Sequence, residues 1–389
     1  MHSATGRIYL DHNASTPLLA AARNALVDAL DVSANASSVH REGRRARAIV
    51  EDARRAVGDL FSCDPDGVVF TSGASEAAST CLSPIWLDGT NEVEFEHLAV
   101  LDTDHDCLRE GGRFERNKIT RLAVDADGAV SAEALDRWLE LVSDRPALLA
   151  LCLANNETGV VQPIDAYAKA ILAPNVTIVL DVVQAVGRIR LDAWASTADA
   201  LLLSGHKLGA VPGIGAFVLK NVAFRPFPLV RGGGQESYRR AGTEAMPAIA
   251  SFASAARAAK VRDVANMRSL RNGLEQRLVE TGATIVGRDA ERLPNTSLIQ
   301  HPALTGEMAA IALDLKGFAV SSGSACSSGK VGHSHVLPAM EAGGCNVDAS
   351  RGAIRVSIGD TTTVAEIESF CEAYEALVAS VTTNQRRVA

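Results

Sequence analysis

Two residues carry the first hint of chemistry, Lys207 and Asp181. The apolar run at residues 200–203 closes on Ser204-Gly205-His206-Lys207, and the run at 176–180 closes on Asp181. Short apolar runs bounded by turn residues predict buried strands. A lysine at the end of such a strand must either reach water or react. Desolvation strips its proton and makes it a nucleophile toward an aldehyde. An acid delivered to a neighbouring strand end completes a pair that pyridoxal phosphate requires: a lysine for the aldehyde and an aspartate for the pyridinium nitrogen.

A second reactive stretch is Val320-Ser321-Ser322-Gly323-Ser324-Ala325-Cys326-Ser327-Ser328-Gly329-Lys330. A structural cysteine sits in apolar surroundings, and Cys326 does not. One thiol in a polar segment of small residues suits a nucleophile that must reach two places. Cys345, in Ala342-Gly343-Gly344-Cys345, is the rival thiol, with nothing nearby to activate it. His333 and His335 lack the further ligands that a metal site needs, so none is expected.

These groups need a scaffold, and the chain alternates strand and helix patterns in a way that supplies one. A strand at 68–71 runs into Ser72-Gly73-Ala74-Ser75, with a helix expected over 75–87. Free N–H groups and the positive end of the helix dipole make that junction a phosphate cradle. A strand over 147–156 ends in Asn155-Asn156, either turn residues or ligand donors. His105 lies in the polar stretch Thr103-Asp104-His105-Asp106-Cys107. Strand–helix alternation implies a mostly parallel sheet covered on both faces, and such sheets bind ligands at the carboxyl ends of their strands. Ser75, Asn156, Asp181, Gln184 and Lys207 all fall there.

Other helices are expected over 17–30, with Thr16 as cap, and over 41–61. A long helical region at 246–280 leads to a smaller α+β domain, completed by the N-terminal residues. The loop from Arg231-Gly232-Gly233-Gly234-Gln235 to Arg239-Arg240-Ala241-Gly242-Thr243 suits a second phosphate contact or a subunit interface. The division expected is residues 16–255 for a large cofactor-binding domain, and 1–15 plus 256–389 for the small one. The chain has 389 residues and a net charge of −8, which argues against general nucleic-acid affinity. Seven scattered cysteines without metal spacing fit reduced thiols in the cytoplasm. No signal peptide or membrane span is evident in the sequence.

The ordered set of motifs resembles the cysteine desulfurases, of the aminotransferase class V group. It comprises Tyr9-Leu10-Asp11-His12-Asn13-Ala14-Ser15-Thr16, Asn35 with Ser37-Ser38 and His40, Thr71-Ser72-Gly73-Ala74-Ser75-Glu76, Asn155-Asn156-Glu157, Asp181 with Gln184, and Ser204-Gly205-His206-Lys207. Arg240-Ala241-Gly242-Thr243-Glu244, Arg292-Leu293-Pro294-Asn295-Thr296, the Cys326 loop, and Arg355 with Ser357 and Gly359 extend it. The Cys326 loop resembles that of the subgroup with a long catalytic loop.

That resemblance implies an α/β aminotransferase fold of type I, bound pyridoxal 5′-phosphate, and a homodimer. It implies that Lys207 holds the cofactor covalently and moves protons, Asp181 pairs with the ring nitrogen, and Asn156 and Gln184 contact the ring hydroxyl region. His105 would stack on the ring and assist proton transfer, with His97 as the alternative. Ala74, Ser75, Ser204 and His206 would hold the phosphate, and Thr243 would reach that of the other subunit. Arg355, with Asn35, would bind the substrate carboxylate. Cys326 would take the sulfur of L-cysteine as a persulfide, releasing L-alanine. The sulfur would pass to an acceptor protein, a scaffold or sulfur carrier, for iron–sulfur assembly or for tRNA or DNA sulfur modification. The chain departs from the family pattern at Ala36, Ser75, Ala78, Thr103-Asp104, Val211-Pro212 and Ser237-Tyr238. Two other readings are a selenocysteine lyase or other class V lyase or aminotransferase, and a catalytically idle scaffold. The Cys326 loop argues against the first, and intact Lys207, Asp181, Cys326 and Arg355 against the second.

Overall fold

The computed structural model describes residues 6–322 and 334–388. In chain order the strands are β1 (Ile8–Tyr9), β2 (Val68–Thr71), β3 (Ile85–Asp88), β4 (Asn91–Glu94), β5 (His97–Leu101), β6 (Ile119–Leu122), β7 (Ala147–Cys152) and β8 (Val176–Asp181). They continue as β9 (Ala200–Ser204), β10 (Gly215–Leu219), β11 (Phe224–Pro226), β12 (Thr284–Ile285), β13 (Thr296–Gln300), β14 (Phe318–Ala319) and β15 (Ile354–Ser357).

The large sheet has the order β2-β10-β9-β8-β7-β5-β6. Its strands from β9 to β6 run parallel, and β10 is antiparallel to both its neighbours. The apolar run of β7 explains how the sheet is buried twice. Ala147, Leu149 and Leu151 join the core on one face, and Leu148, Ala150 and Cys152 join the core on the other. Alternation with a period of two sends successive side chains to opposite faces, so a strand covered on both sides must be apolar throughout. A second core lies around β12, β13 and β15, filled by Leu270, Leu274, Leu313, Phe370 and Tyr374. β1 pairs in parallel with β14, so the N-terminal strand joins this part of the chain. The architecture is the α/β one expected, a mostly parallel large sheet with a smaller α+β assembly. Among the described residues, no helix is long and apolar enough to cross a membrane.

Several element boundaries differ from expectation for identifiable reasons. The first helix is Ala20–Leu30, with Leu19 and not Thr16 before it. Thr16 is occupied elsewhere, its hydroxyl donating to the Lys207 carbonyl at 2.8 Å. The helix after Gly73 is Ala74–Cys81 and stops early, because Pro84 follows and residues 85–88 pair as a strand with β4 and β11. The region at 246–280 is two helices, Met246–Lys260 and Val264–Val279. Asp263 starts the second by accepting the N–H groups of Ala265 and Asn266.

Candidate active site

The parallel strands end together, and their ends build one cavity of about 460 Å³. β8 delivers Asp181, and β9 delivers Ser204 into a short helix, Gly205–Leu208, that carries His206 and Lys207. β7 leads to Asn156, and β5 leads to His105. From β2 comes Gly73 and the start of the helix Ala74–Cys81. All of these residues line the cavity, with Ala74, Ser75 and Gln184. Their common location follows from the parallel register, since strands that point the same way share a carboxyl edge.

Asp181 is buried, with Oδ1 accepting the Val183 N–H at 2.8 Å. Burial pushes its carboxyl up, opposed by that hydrogen bond, by His105, by the Cys152 thiol and by Lys207. Lys207 Nζ donates to the carbonyl oxygens of Asn13 and Ala14, each at 2.7 Å. His206 Nδ1 lies 3.3 Å from Ser15 Oγ. Burial and the neighbouring Lys207 charge lower the His206 pKa to about 4, which leaves it neutral at physiological pH. His105 Nδ1 accepts the Cys107 N–H at 3.1 Å, which fixes the ring against the short helix Asp106–Arg109.

Gly73 and the start of the helix Ala74–Cys81 form one wall of the cavity, with the polarity that suits an anion. The first turn of the helix Ala74–Cys81 leaves N–H groups without intrahelical acceptors. Gly215 passes directly beneath it: a Cβ there would lie 2.6 Å from Gly73 Cα and 2.6 Å from the Leu203 carbonyl oxygen. Glu76 Oε2 accepts the Ser72 N–H at 2.8 Å, and Oε1 accepts Arg240 Nε at 2.8 Å. A buried acid, a lysine and a helix start with N–H groups lacking intrahelical acceptors, all lining one cavity, suit pyridoxal phosphate chemically.

The adjacent amides divide the two roles left open in sequence. Asn155 is a turn residue, its Oδ1 accepting the N–H groups of Glu157 and Thr158 at 2.9 Å each. Asn156 lines the cavity, and its carbonyl accepts Arg355 Nη1 at 2.9 Å. Arg355 is 1% exposed and its Nη2 donates to Asp11 Oδ1 at 2.7 Å. His105 follows the carboxyl end of β5, whereas His97 begins that strand. Asn35 and Thr243 are exposed and are not among the cavity-lining residues. Asn35 Oδ1 accepts the Ser37 N–H at 2.8 Å.

Cys326 and His333 lie outside the described residues. The residues flanking that segment are tied close to Asn156. Ser321 exchanges backbone hydrogen bonds with Arg355, and Ser334 Oγ donates to Glu157 Oε2 at 2.6 Å. Burial pushes the Glu157 carboxyl up to about 7. Cys345 is not among the residues lining the cavity. Among the described residues, no group of three or more histidine, cysteine or acidic side chains could hold a metal.

Two residues with no role assigned from sequence knit the site together. Asn13 Nδ2 donates to the Asn156 carbonyl at 3.1 Å and to Thr296 Oγ1 at 2.9 Å. Its Oδ1 accepts Arg188 Nη1 at 2.8 Å, and its carbonyl accepts Gln184 Nε2 at 3.0 Å. Arg188 is buried and also donates to Gln184 Oε1 at 2.5 Å. Burial, then the charge of Arg262, lowers its pKa to about 9. Asn13 therefore links the large sheet to β13.

The chain's likeness to known proteins agrees with this arrangement. A profile of the aminotransferase class-V family matches residues 8–370. A cysteine desulfurase of Cereibacter sphaeroides is 37% identical over 383 residues, covering 96% of each chain. An IscS-like cysteine desulfurase of Mycobacterium tuberculosis is 35% identical over 389 residues, covering 95% of this chain and 96% of its own. Among solved structures, a NifS-like protein from Rickettsia africae is 29% identical with a TM-score of 0.82, covering 96% of this chain and 99% of its own. The structure of SspA in complex with cysteine is 25% identical with a TM-score of 0.72, covering 92% of this chain and 100% of its own.

Proposed function

Because the chain belongs to the class V aminotransferase family and is a cysteine desulfurase within it, we propose that it moves the sulfur of L-cysteine onto Cys326, with pyridoxal 5′-phosphate as the cofactor that Lys207, Asp181, Ala74 and Ser75 would hold. The observation that carries this reading is the single cavity shared by Lys207, Asp181, His105 and the start of the helix Ala74–Cys81. Bound pyridoxal phosphate supplies an aldehyde for Lys207 and a ring that draws off the electrons left at the substrate α-carbon.

The residues of the chain do the rest. Asp181 holds the ring nitrogen protonated, and Asn156 and Gln184 hold the ring hydroxyl side. Ala74, Ser75, Ser204 and His206 hold the phosphate. Arg355, which lies behind the lining residue Asn156 and bonds its carbonyl, is assigned the substrate carboxylate, and Asn35, exposed outside the cavity, is assigned to it on the family resemblance alone. Lys207 takes the α-proton, and His105 assists proton transfer. The Cys326 sulfur, as thiolate, bonds to the substrate sulfur as the substrate C–S bond breaks. The electron pair of that bond stays on carbon, a proton completes L-alanine, and Cys326 retains a persulfide. An acceptor protein then takes the outer sulfur. The anchoring of both flanks of the Cys326 segment beside Asn156 supports its access to the cavity mouth.

The domain division proposed is 16–255 and 1–15 plus 256–389, supported by the separate cores around the two sheets. A homodimer is proposed because Thr243 is exposed on a segment that Arg240 ties to Glu76, in the first turn of the helix Ala74–Cys81. The residues just before that segment are anchored: Glu236 is buried, Arg54 donates to its two carboxylate oxygens at 2.9 Å each, and Phe70 N–H donates to it at 3.0 Å. A cytoplasmic site of action suits free thiols.

The test is product analysis with the reconstituted protein, L-cysteine and a dithiol reductant. Wild type is expected to release alanine and sulfide in equal amounts, and Cys326→Ala to keep the cofactor's visible absorbance but release neither at a significant rate. Pyruvate in place of alanine, or wild-type sulfide release from Cys326→Ala, would refute the reading.

A further inference from the structure

The cavity contains two thiols that the reaction above does not use. Cys152 ends β7 and is the register partner of Asp181 at the end of β8. Partners on adjacent strands put their side chains on the same face of the sheet. Cys152 Sγ accordingly lies 3.8 Å from Asp181 Oδ2. Cys107, in the short helix Asp106–Arg109, approaches the same oxygen at 3.9 Å. Both thiols line the cavity. Val183 N–H occupies Oδ1, and both sulfurs approach the other oxygen, Oδ2.

From this geometry, and resting on the cofactor reading above, we infer that Cys107 and Cys152 are positioning residues for Asp181, keeping water off Oδ2 so that its charge is reserved for the ring nitrogen of the cofactor. A thiol is a small hydrophobe with a weak donor. It packs against the carboxylate without competing strongly for its lone pair, as a hydroxyl or a water would. Attraction between carboxylate and pyridinium rises as the local dielectric falls, and the fold has already borne the cost of desolvating Asp181. The direction of the Asp181 shift, upward by burial, agrees with an oxygen short of solvation.

The same surroundings separate these thiols from Cys326 in function. Burial pushes both upward, and the charges of Asp181 and Asp104 push Cys152 further. Both therefore stay as S–H groups and make poor nucleophiles. Cys152 Sγ also accepts the His105 N–H at 3.4 Å. One sulfur thus contacts the backbone that positions His105 and the carboxylate that holds the ring.

The test compares cofactor dissociation constants for wild type, Cys152→Ser, Cys107→Ser, Cys152→Val and the double serine variant. Pyridoxal 5′-phosphate is titrated into each apoprotein and followed by visible absorbance, with apoprotein thermal midpoints as a folding control. Serine is shorter and polar, so it admits water to Oδ2, whereas valine is dry and of similar size. Each serine variant is expected to bind the cofactor about tenfold more weakly. Cys152→Val is expected to stay within about twofold of wild type. Serine variants that bind as wild type does, or a valine variant that loses as much as serine, would overturn the inference. Failure of wild type to take up the cofactor at all would instead overturn the reading on which it rests.

Discussion

Lys207→Ala protein is expected to lose alanine formation from L-cysteine by about 10⁴-fold or more, the scale seen when a covalent nucleophile is removed. Lys207 Nζ is aimed by the carbonyl oxygens of Asn13 and Ala14 at 2.7 Å each, and the short helix Gly205–Leu208 fixes its backbone. Among the described residues, no other lysine lines the cavity. The variant keeps Asp181, the helix start at Ala74 and Asn156, so it should still bind the cofactor, though without a covalent link. Borohydride reduction followed by peptide mass analysis checks this: the cofactor should be fixed to Lys207 in wild type and to no residue in the variant. Retained turnover, or fixation at another lysine, would remove Lys207 from the role assigned to it.

Arg355 is expected to show the second large effect, and the substitution chosen decides its form. Arg355→Leu removes a fully buried guanidinium and leaves the half-buried Asp11 carboxylate and the Asn156 carbonyl without their partner. Breaking a buried ion pair from one side costs about 3–5 kcal/mol, so the thermal midpoint should fall sharply. Arg355→Lys keeps the charge but loses the planar fork that grips a carboxylate. It should fold, raise KM for L-cysteine by about 10–100-fold, and change kcat less. The split between KM and kcat is what identifies a substrate contact. An unchanged KM in a folded Arg355→Lys protein would reduce Arg355 to a structural partner of Asp11.

What could be read from sequence was the set of strand ends. Asp181 and Lys207 stand out because each interrupts an apolar run, and a parallel sheet turns such interruptions into one shared edge. The junction at Gly73 was legible for the same reason, as a strand meeting glycine and then a helix. Asn13 and Arg188 were not legible. Their partners lie 143 to 344 residues away for Asn13, and no periodic pattern marks a polar hub assembled at such range. Arg188 sits between turn residues after β8 and looks in sequence like a surface cation, yet it is buried against Asn13 and Gln184. The helix starting at Ala20 was placed too early because Thr16 resembles a cap, when its hydroxyl is committed to Lys207. The small sheet of β3, β4 and β11 leaves only a weak signal in sequence, because its strands are short and partly buried. Cys107 and Cys152 were counted among reduced thiols, and only the register of β7 against β8 brings Cys152 to Asp181.

The central claim is that sulfur leaves L-cysteine by way of Cys326. Mixing the cofactor-loaded protein with L-cysteine, without reductant or acceptor, and then mapping peptides by mass tests it most directly. The account predicts one added sulfur atom on the Cys326 peptide, removed by a dithiol, with a matching amount of alanine. Alanine formed with no sulfur on Cys326, or sulfur carried by Cys345 or Cys107 in its place, would contradict it.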